Sequence, residues 1–126
     1  MSKKLLVIDD QASLTKVVSL IGEQLGLEVK ALHSSALATE TFVEYRPDIV
    51  ILDMIMPEKD GIDVLNEMLL TGIPAHIVLT SGFSNAYLRL AEGVARFHDS
   101  NHVSVLKKPF RRDELIAILK EFVDQP

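Results

Sequence analysis

Short apolar runs alternate along the chain with stretches whose apolar residues recur at helical spacing. The runs are Leu5–Ile8, Leu27–Leu32 (broken by Glu28 and Lys30), Ile49–Leu52, Ile77–Leu79 and Val103–Leu106. The first, third and fourth are continuous, which suits strands covered on both faces. After the first run, Leu14, Val17, Val18, Ile21 and Leu25 share a helical face, and Gly26 predicts the cap that ends it. Leu37, Thr39 to Phe42 and Val43 predict a second helix, closed before Pro47. Ile62, Leu65, Met68 and Leu69 mark a third, ended by Gly72, and Tyr87 to Val94 a fourth, with Ser84 as its cap. Leu115, Ile118, Leu119 and Phe122 give a fifth, whose Asp113 and Glu114 suit the positive end of a helix dipole.

Five strands alternating with five helices predict an α/β domain with a parallel sheet. Right-handed crossovers then gather every strand C-terminus on one edge, where ligands of such sheets bind. The predicted ends carry Asp9-Asp10, Asp53, Thr80-Ser81 and Lys107-Lys108-Pro109. Two adjacent acids are a poor finish for a buried strand, because an isolated buried carboxylate shifts its pKa or finds a partner. A positive group is therefore expected among them. Singly, each residue has a plainer reading. Asp10 could cap the first helix, Asp53 could face water, Ser81 could bond nearby backbone, and Lys108 could be solvated like Lys107. Only convergence on one rim favours chemistry.

Composition narrows the function classes. The chain has 126 residues, enough for one domain with its own core. Apolar residues make up 48% and charged residues 25%, ordinary for a globular domain. No window approaches the roughly 18 apolar residues of a membrane span, and no signal-peptide pattern opens the chain. Cysteine is absent, which excludes disulfide and thiolate chemistry. A net charge of −5, with no basic run longer than Lys3-Lys4, Lys107-Lys108 or Arg111-Arg112, argues against direct nucleic-acid binding and for a protein partner.

The stretches "VIDD", "ILDMIMPEKDG", "VLTSG" and "KKPF", in that order, resemble the receiver domain of two-component response regulators over essentially the whole chain. The resemblance implies a flavodoxin-like fold, a three-layer doubly wound five-stranded parallel sheet of order 2-1-3-4-5. It also implies a single receiver domain over residues 1–126, with no output domain in this chain. Asp53 would be the phosphoacceptor, served by a histidine kinase or a His-containing phosphotransfer protein. Asp10, Asp53 and the backbone carbonyl of Ile55 would hold Mg²⁺, with Mn²⁺ as a substitute, and Asp9 would act mainly from behind those ligands. Ser81 rather than Thr80 would be the switch hydroxyl, since Gly82 supplies the small residue that follows it. Lys108, directly before Pro109, would meet the phosphoryl oxygens. Pro57 and Gly61 would shape the loop after the third strand, Gly61 being free to take a positive φ. A cytoplasmic location, a downstream protein target, and a phosphorylation-linked homodimer belong to the same expectation; the domain would signal rather than act as an enzyme. Its partner surface would be helix 4, strand 5 and helix 5, including Phe83 and Val105.

Some positions depart from the family. An aromatic often stands three residues before the lysine, where this chain has Val105, and segment 96–104 looks longer than usual. Ile55 and Phe83, two residues beyond Asp53 and Ser81, are apolar and cannot orient an attacking water, which predicts slow self-dephosphorylation. His98 and His102 have a spacing that ligates zinc on a helix, but Asp99-Ser100-Asn101 between them is turn-like. Met54 and Met56 suit loop packing. Two competing classes remain: a small phosphatase with an aspartyl nucleophile, whose usual second acid falls on Ile55, and an interaction module without phosphorylation. No G-x-G-x-x-G follows the first strand to suggest a dinucleotide site.

Overall fold

The structure, a computed structural model, describes residues 2–82, 85–100 and 102–124. Five strands and five helices alternate: β1 Lys4–Ile8, α1 Ala12–Gln24, β2 Glu28–Leu32, α2 Ala38–Tyr45, β3 Ile49–Asp53, α3 Gly61–Leu70, β4 His76–Ser81, α4 Asn85–Phe97, β5 Val103–Lys107 and α5 Arg112–Val123. All pairings are parallel, in the order β2-β1-β3-β4-β5. The three central strands hold the continuous apolar runs, and all of β3 is buried.

Alternation along each strand divides the core between two faces. Leu6, Ile8, Val50, Leu52, Ile77 and Leu79 meet Phe42 of α2, Val64, Leu65 and Met68 of α3, and Ala91 of α4. Leu5, Val7, Ile49, Ile51 and Val78 meet Val18 and Ile21 of α1, and Leu115 and Leu119 of α5. Met54 and Met56 are buried in the first of these clusters, as packing residues. Edge strand β2 is half exposed, which is why Glu28 and Lys30 interrupt its run.

Helix ends follow local chemistry. Gly26 has φ +89, which L side chains rarely adopt. Its N–H bonds the Glu23 carbonyl at 3.0 Å while Leu27 N–H bonds Gly22 at 2.9 Å, satisfying two carbonyls that α1 would leave orphaned. The chain thereby turns straight into β2. Helix α2 begins after Leu37, which is exposed, because only Ala38 and Phe42 lie on its buried stripe. Helix α4 runs to Phe97, three residues beyond Val94, so part of the segment that looked like a long connection is helix. Ser84, its expected cap, lies outside the described residues.

Candidate functional site

Four segments meet where the sheet ends. Asp9 and Asp10 leave β1, Asp53 closes β3, Ser81 closes β4, and Lys108 follows β5. Lys108 N–H donates to the Ser81 carbonyl at 2.8 Å, extending the pairing of β4 with β5. Its side chain then crosses the rim. The ammonium lies 2.8 Å from Asp9 Oδ2 and 3.3 Å from Asp53 Oδ2. The positive group that the acids require is therefore Lys108, while Lys107 is exposed.

Asp9, Asp10 and Asp53 each offer a carboxylate oxygen, all within 4.8 Å of one another. Asp9 is buried and uses both oxygens, one on Lys108 and the other accepting Gln11 N–H at 2.9 Å. Asp10 is exposed. It does not cap α1: Gln11 occupies the cap position, with no side-chain cap bond, and its own N–H is held by Asp9. A cavity of about 250 Å³ opens over Asp53, lined also by Asp10, Ile55, Ser81 and Lys108. Gln11 and Gly82 line it too. Gln11 did not stand out in the sequence, although it directly follows Asp10, and Gly82 stood out only as the small residue after Ser81.

The electrostatics single out Asp53. Burial raises its pKa above the ordinary 3.8, and the Asp9 charge adds to the rise; Lys108 and the Ile55 N–H oppose it without cancelling it. Burial pushes Lys108 down, but its hydrogen bond to Asp9 and the charges of Asp53 and Asp9 outweigh that, and its pKa moves up. One ammonium serves two carboxylates and stands nearer Asp9. Asp53 is left under-compensated. An all-oxygen set with surplus negative charge fits a hard divalent cation such as Mg²⁺, bound through one or two carboxylates.

The loop after β3 corrects one expectation. Gly61 does not take a positive φ; it is the first residue of α3. Glycine is required there by space, since a Cβ would stand 2.5 Å from the Asp53 carbonyl oxygen and 2.5 Å from Met54 Cα. Pro57 lies exposed in the same loop. Ile55 is 38% exposed, and its N–H points to Asp53 Oδ1 at 3.3 Å.

Of the two hydroxyls ending β4, Ser81 lines the cavity and Thr80 does not. Thr80 is 1% exposed, and its Oγ1 has no hydrogen-bond partner among the described residues. Such a group bears its full desolvation cost. Thr80→Val should therefore stabilise the protein by about 1 kcal/mol in urea denaturation; a loss of stability would show that the hydroxyl is satisfied.

The remaining candidates separate. Val105 pairs with Leu79 and lines a cavity between α4 and β5 with Ala91, Ala95 and Val103. Phe83 lies outside the described residues. His98 and His102 do not form a metal pair. His98 Nε2 meets Asn66 Oδ1 at 2.7 Å, while the His102 ring faces His76. Asp99, at φ +53, breaks the helical register between them.

The chain is similar to known proteins over most of its length. Residues 5–120 match the response regulator receiver domain family. The chain is 29% identical to chemotaxis protein CheY of Bacillus subtilis strain 168 over 122 residues, covering 96% of this chain and 98% of that protein. It is 29% identical to the DNA-binding response regulator MtrA of Mycobacterium tuberculosis strain H37Rv, over 93% of this chain and 49% of that protein. The chain thus spans nearly all of the first and about half the length of the second. Among solved structures, a CheY-like receiver domain from Methanospirillum hungatei JF-1 superposes with a TM-score of 0.84 at 17% identity, over 98% of this chain and 95% of that one. The signal receiver domain of a response regulator from Bermanella marisrubri gives 0.81 at 25% identity, over 98% and 100%.

Proposed function

The chain belongs to the response regulator receiver domain family, and from that premise we propose that Asp53 accepts a phosphoryl group in a two-component phosphorelay. The observation that carries this reading is the Lys108 ammonium bridging Asp9 and Asp53 beneath an open cavity. The donor is a phosphohistidine on a histidine kinase or a phosphotransfer protein. An Asp53 oxygen forms a bond to phosphorus, the phosphorus–nitrogen bond breaks, and its electron pair returns to the histidine ring. Such a transfer asks mainly for positioning and charge neutralisation.

Asp10, Asp53 and the Ile55 carbonyl are the residues that would hold Mg²⁺, which when bound supplies the positive charge an anionic donor needs to approach an anionic acid. Asp9 holds the ammonium and the start of α1, both its oxygens being engaged by protein groups. Lys108 and Ser81, both on the cavity wall, would meet the phosphoryl oxygens. A hydrogen bond to such a charged group is worth roughly 1.5–3 kcal/mol. That shifts a two-state population by tens-fold, short of the ~10⁴ of a complete switch. Binding of a protein target to the surface of α4, β5 and α5, where Val105 lies, supplies the rest. The domain works as a signalling module in the cytoplasm, with residues 1–126 forming one receiver unit.

Incubation with radiolabelled acetyl phosphate and Mg²⁺ tests the assignment. The parent and Asp99→Ala should take up label and Asp53→Ala none. Equal labelling of Asp53→Ala would overturn it.

A further inference from the structure

The loop between Asp53 and α3 is fastened twice. Its near end is closed by backbone alone: Met54 N–H bonds the Thr80 carbonyl at 3.0 Å, and Gly61 N–H bonds the Met54 carbonyl at 2.8 Å. Its far side is held from outside. Lys59 N–H donates to Ser35 Oγ at 2.8 Å, and the Lys59 ammonium donates to Glu67 Oε2 at 2.7 Å. Thr39 O–H donates to the other Glu67 oxygen at 2.6 Å. The turn before α2, α2 itself and α3 are thus strapped to a single loop residue.

Ser35 is 1% exposed, so its hydroxyl needs partners, and one is a loop N–H 24 residues away rather than its own helix. The Lys59–Glu67 pair is charged throughout the ordinary range. Its hydrogen bond raises the pKa of Lys59, and bonds from Lys59 and Thr39 lower that of Glu67. An exposed ion pair alone adds little stability. A buried hydroxyl and a doubly held carboxylate acting on the same residue fix geometry instead.

We propose that Ser35 and the Lys59–Glu67 pair are positioning residues for the acidic site, holding the loop so that Ile55 lies against the Asp53 carboxylate. Ile55 stands four residues before Lys59, donates its N–H to Asp53 Oδ1 and lines the cavity. Released at its far side, the loop samples other orientations of the Ile55 peptide, and the hold on a hard cation weakens. Groups that orient a site in this way act through affinity. The inference rests on the metal reading above.

Titration of the full chain with MgCl₂, followed calorimetrically well below the melting temperature, separates the two. Ser35→Ala should weaken Mg²⁺ binding about three- to ten-fold. Lys59→Met should weaken it about two-fold. Coulomb attraction alone predicts the opposite sign for Lys59→Met, because it removes a positive charge from the domain that would bind the cation. Glu67→Gln, which keeps the shape of the exposed pair, provides the second arm if Ser35→Ala does not fold. Unchanged affinity in Ser35→Ala with unchanged or tighter binding in Lys59→Met overturns the inference; if Ser35→Ala does not fold, unchanged affinity in Glu67→Gln takes its place. Absence of Mg²⁺ binding in the parent, or binding undiminished in Asp10→Ala, overturns the metal reading itself.

Discussion

Gly61→Ala should destabilise the protein by about 3 kcal/mol, measured by urea denaturation at neutral pH. The added Cβ would stand 2.5 Å from both the Asp53 carbonyl oxygen and Met54 Cα, and 3.0 Å from the Met54 carbonyl carbon. All three are backbone atoms, so no rotamer change relieves the contact. Either α3 moves away from β3 or the end of β3 moves away from its neighbours, and both cost packing. Either movement strains the bond from Gly61 N–H to the Met54 carbonyl that closes the loop beside Asp53. The contrast is Gly93→Ala in α4, where a Cβ meets nothing within 4 Å. Replacing that mid-helix glycine should stabilise by about 0.5–1 kcal/mol. A Gly61→Ala variant as stable as the parent would mean that the close approach of α3 to β3 is wrong.

Lys108→Met should destabilise by roughly 2–4 kcal/mol at pH 7, because removing one partner leaves buried carboxylates uncompensated. The side chain of Asp9 is 4% exposed and that of Asp53 10%, against 19% for Lys108, so solvent replaces little of the lost charge. The deficit has a definite pH dependence. Asp53 already binds its proton more tightly folded than unfolded, chiefly through burial and then through Asp9, and losing Lys108 removes a group that opposes this. For an acid so raised, the cost of folding is complete above the folded pKa and vanishes below the unfolded value near 3.8. The gap between variant and parent should therefore narrow as the solution is acidified. Asp53→Asn should stabilise the metal-free protein at neutral pH and recover part of what Lys108→Met loses, and that gain too should fade on acidification. Equal stability of Lys108→Met and parent at neutral pH would contradict the bridge.

Most of the fold was legible because the sheet is buried on both faces. Uninterrupted runs such as Ile49–Leu52 need no partner strand to be recognised, and Gly26 and Gly72 announce helix ends through their positive φ. Positions whose environment is set by distant segments were harder. Gly61 looked like a turn glycine, but its need is steric and depends on where β3 lies. Asp10 has the chemistry of a cap, yet the helix starts at Ala12 and the cap position falls on Gln11, one residue further on. Helix α4 outlasts its apolar stripe because Ala95 still packs, and alanine is a weak hydrophobic signal.

The acidic rim was readable as a list of residues and not as a geometry. Asp9, Asp53 and Lys108 each end or follow a buried run, so a parallel sheet alone brings them to one edge. That Lys108 prefers Asp9 to Asp53 could not be seen, since both acids are equally placed in the sequence. Ser35, Lys59 and Glu67 went unnoticed for a related reason. They are ordinary polar residues at a turn, in a loop and on a helix, and only the approach of the turn before α2 to the loop after β3 gives them a common task.

On our proposal, the acid left under-compensated by the shared ammonium is the one that takes the phosphoryl group. After reaction with acetyl phosphate and Mg²⁺, borohydride reduction converts an acyl phosphate to an alcohol in place, and peptide mapping locates it. Reduction at Asp53 alone is the expected result. Reduction at Asp9 or Asp10, with Asp53 intact, would contradict the account.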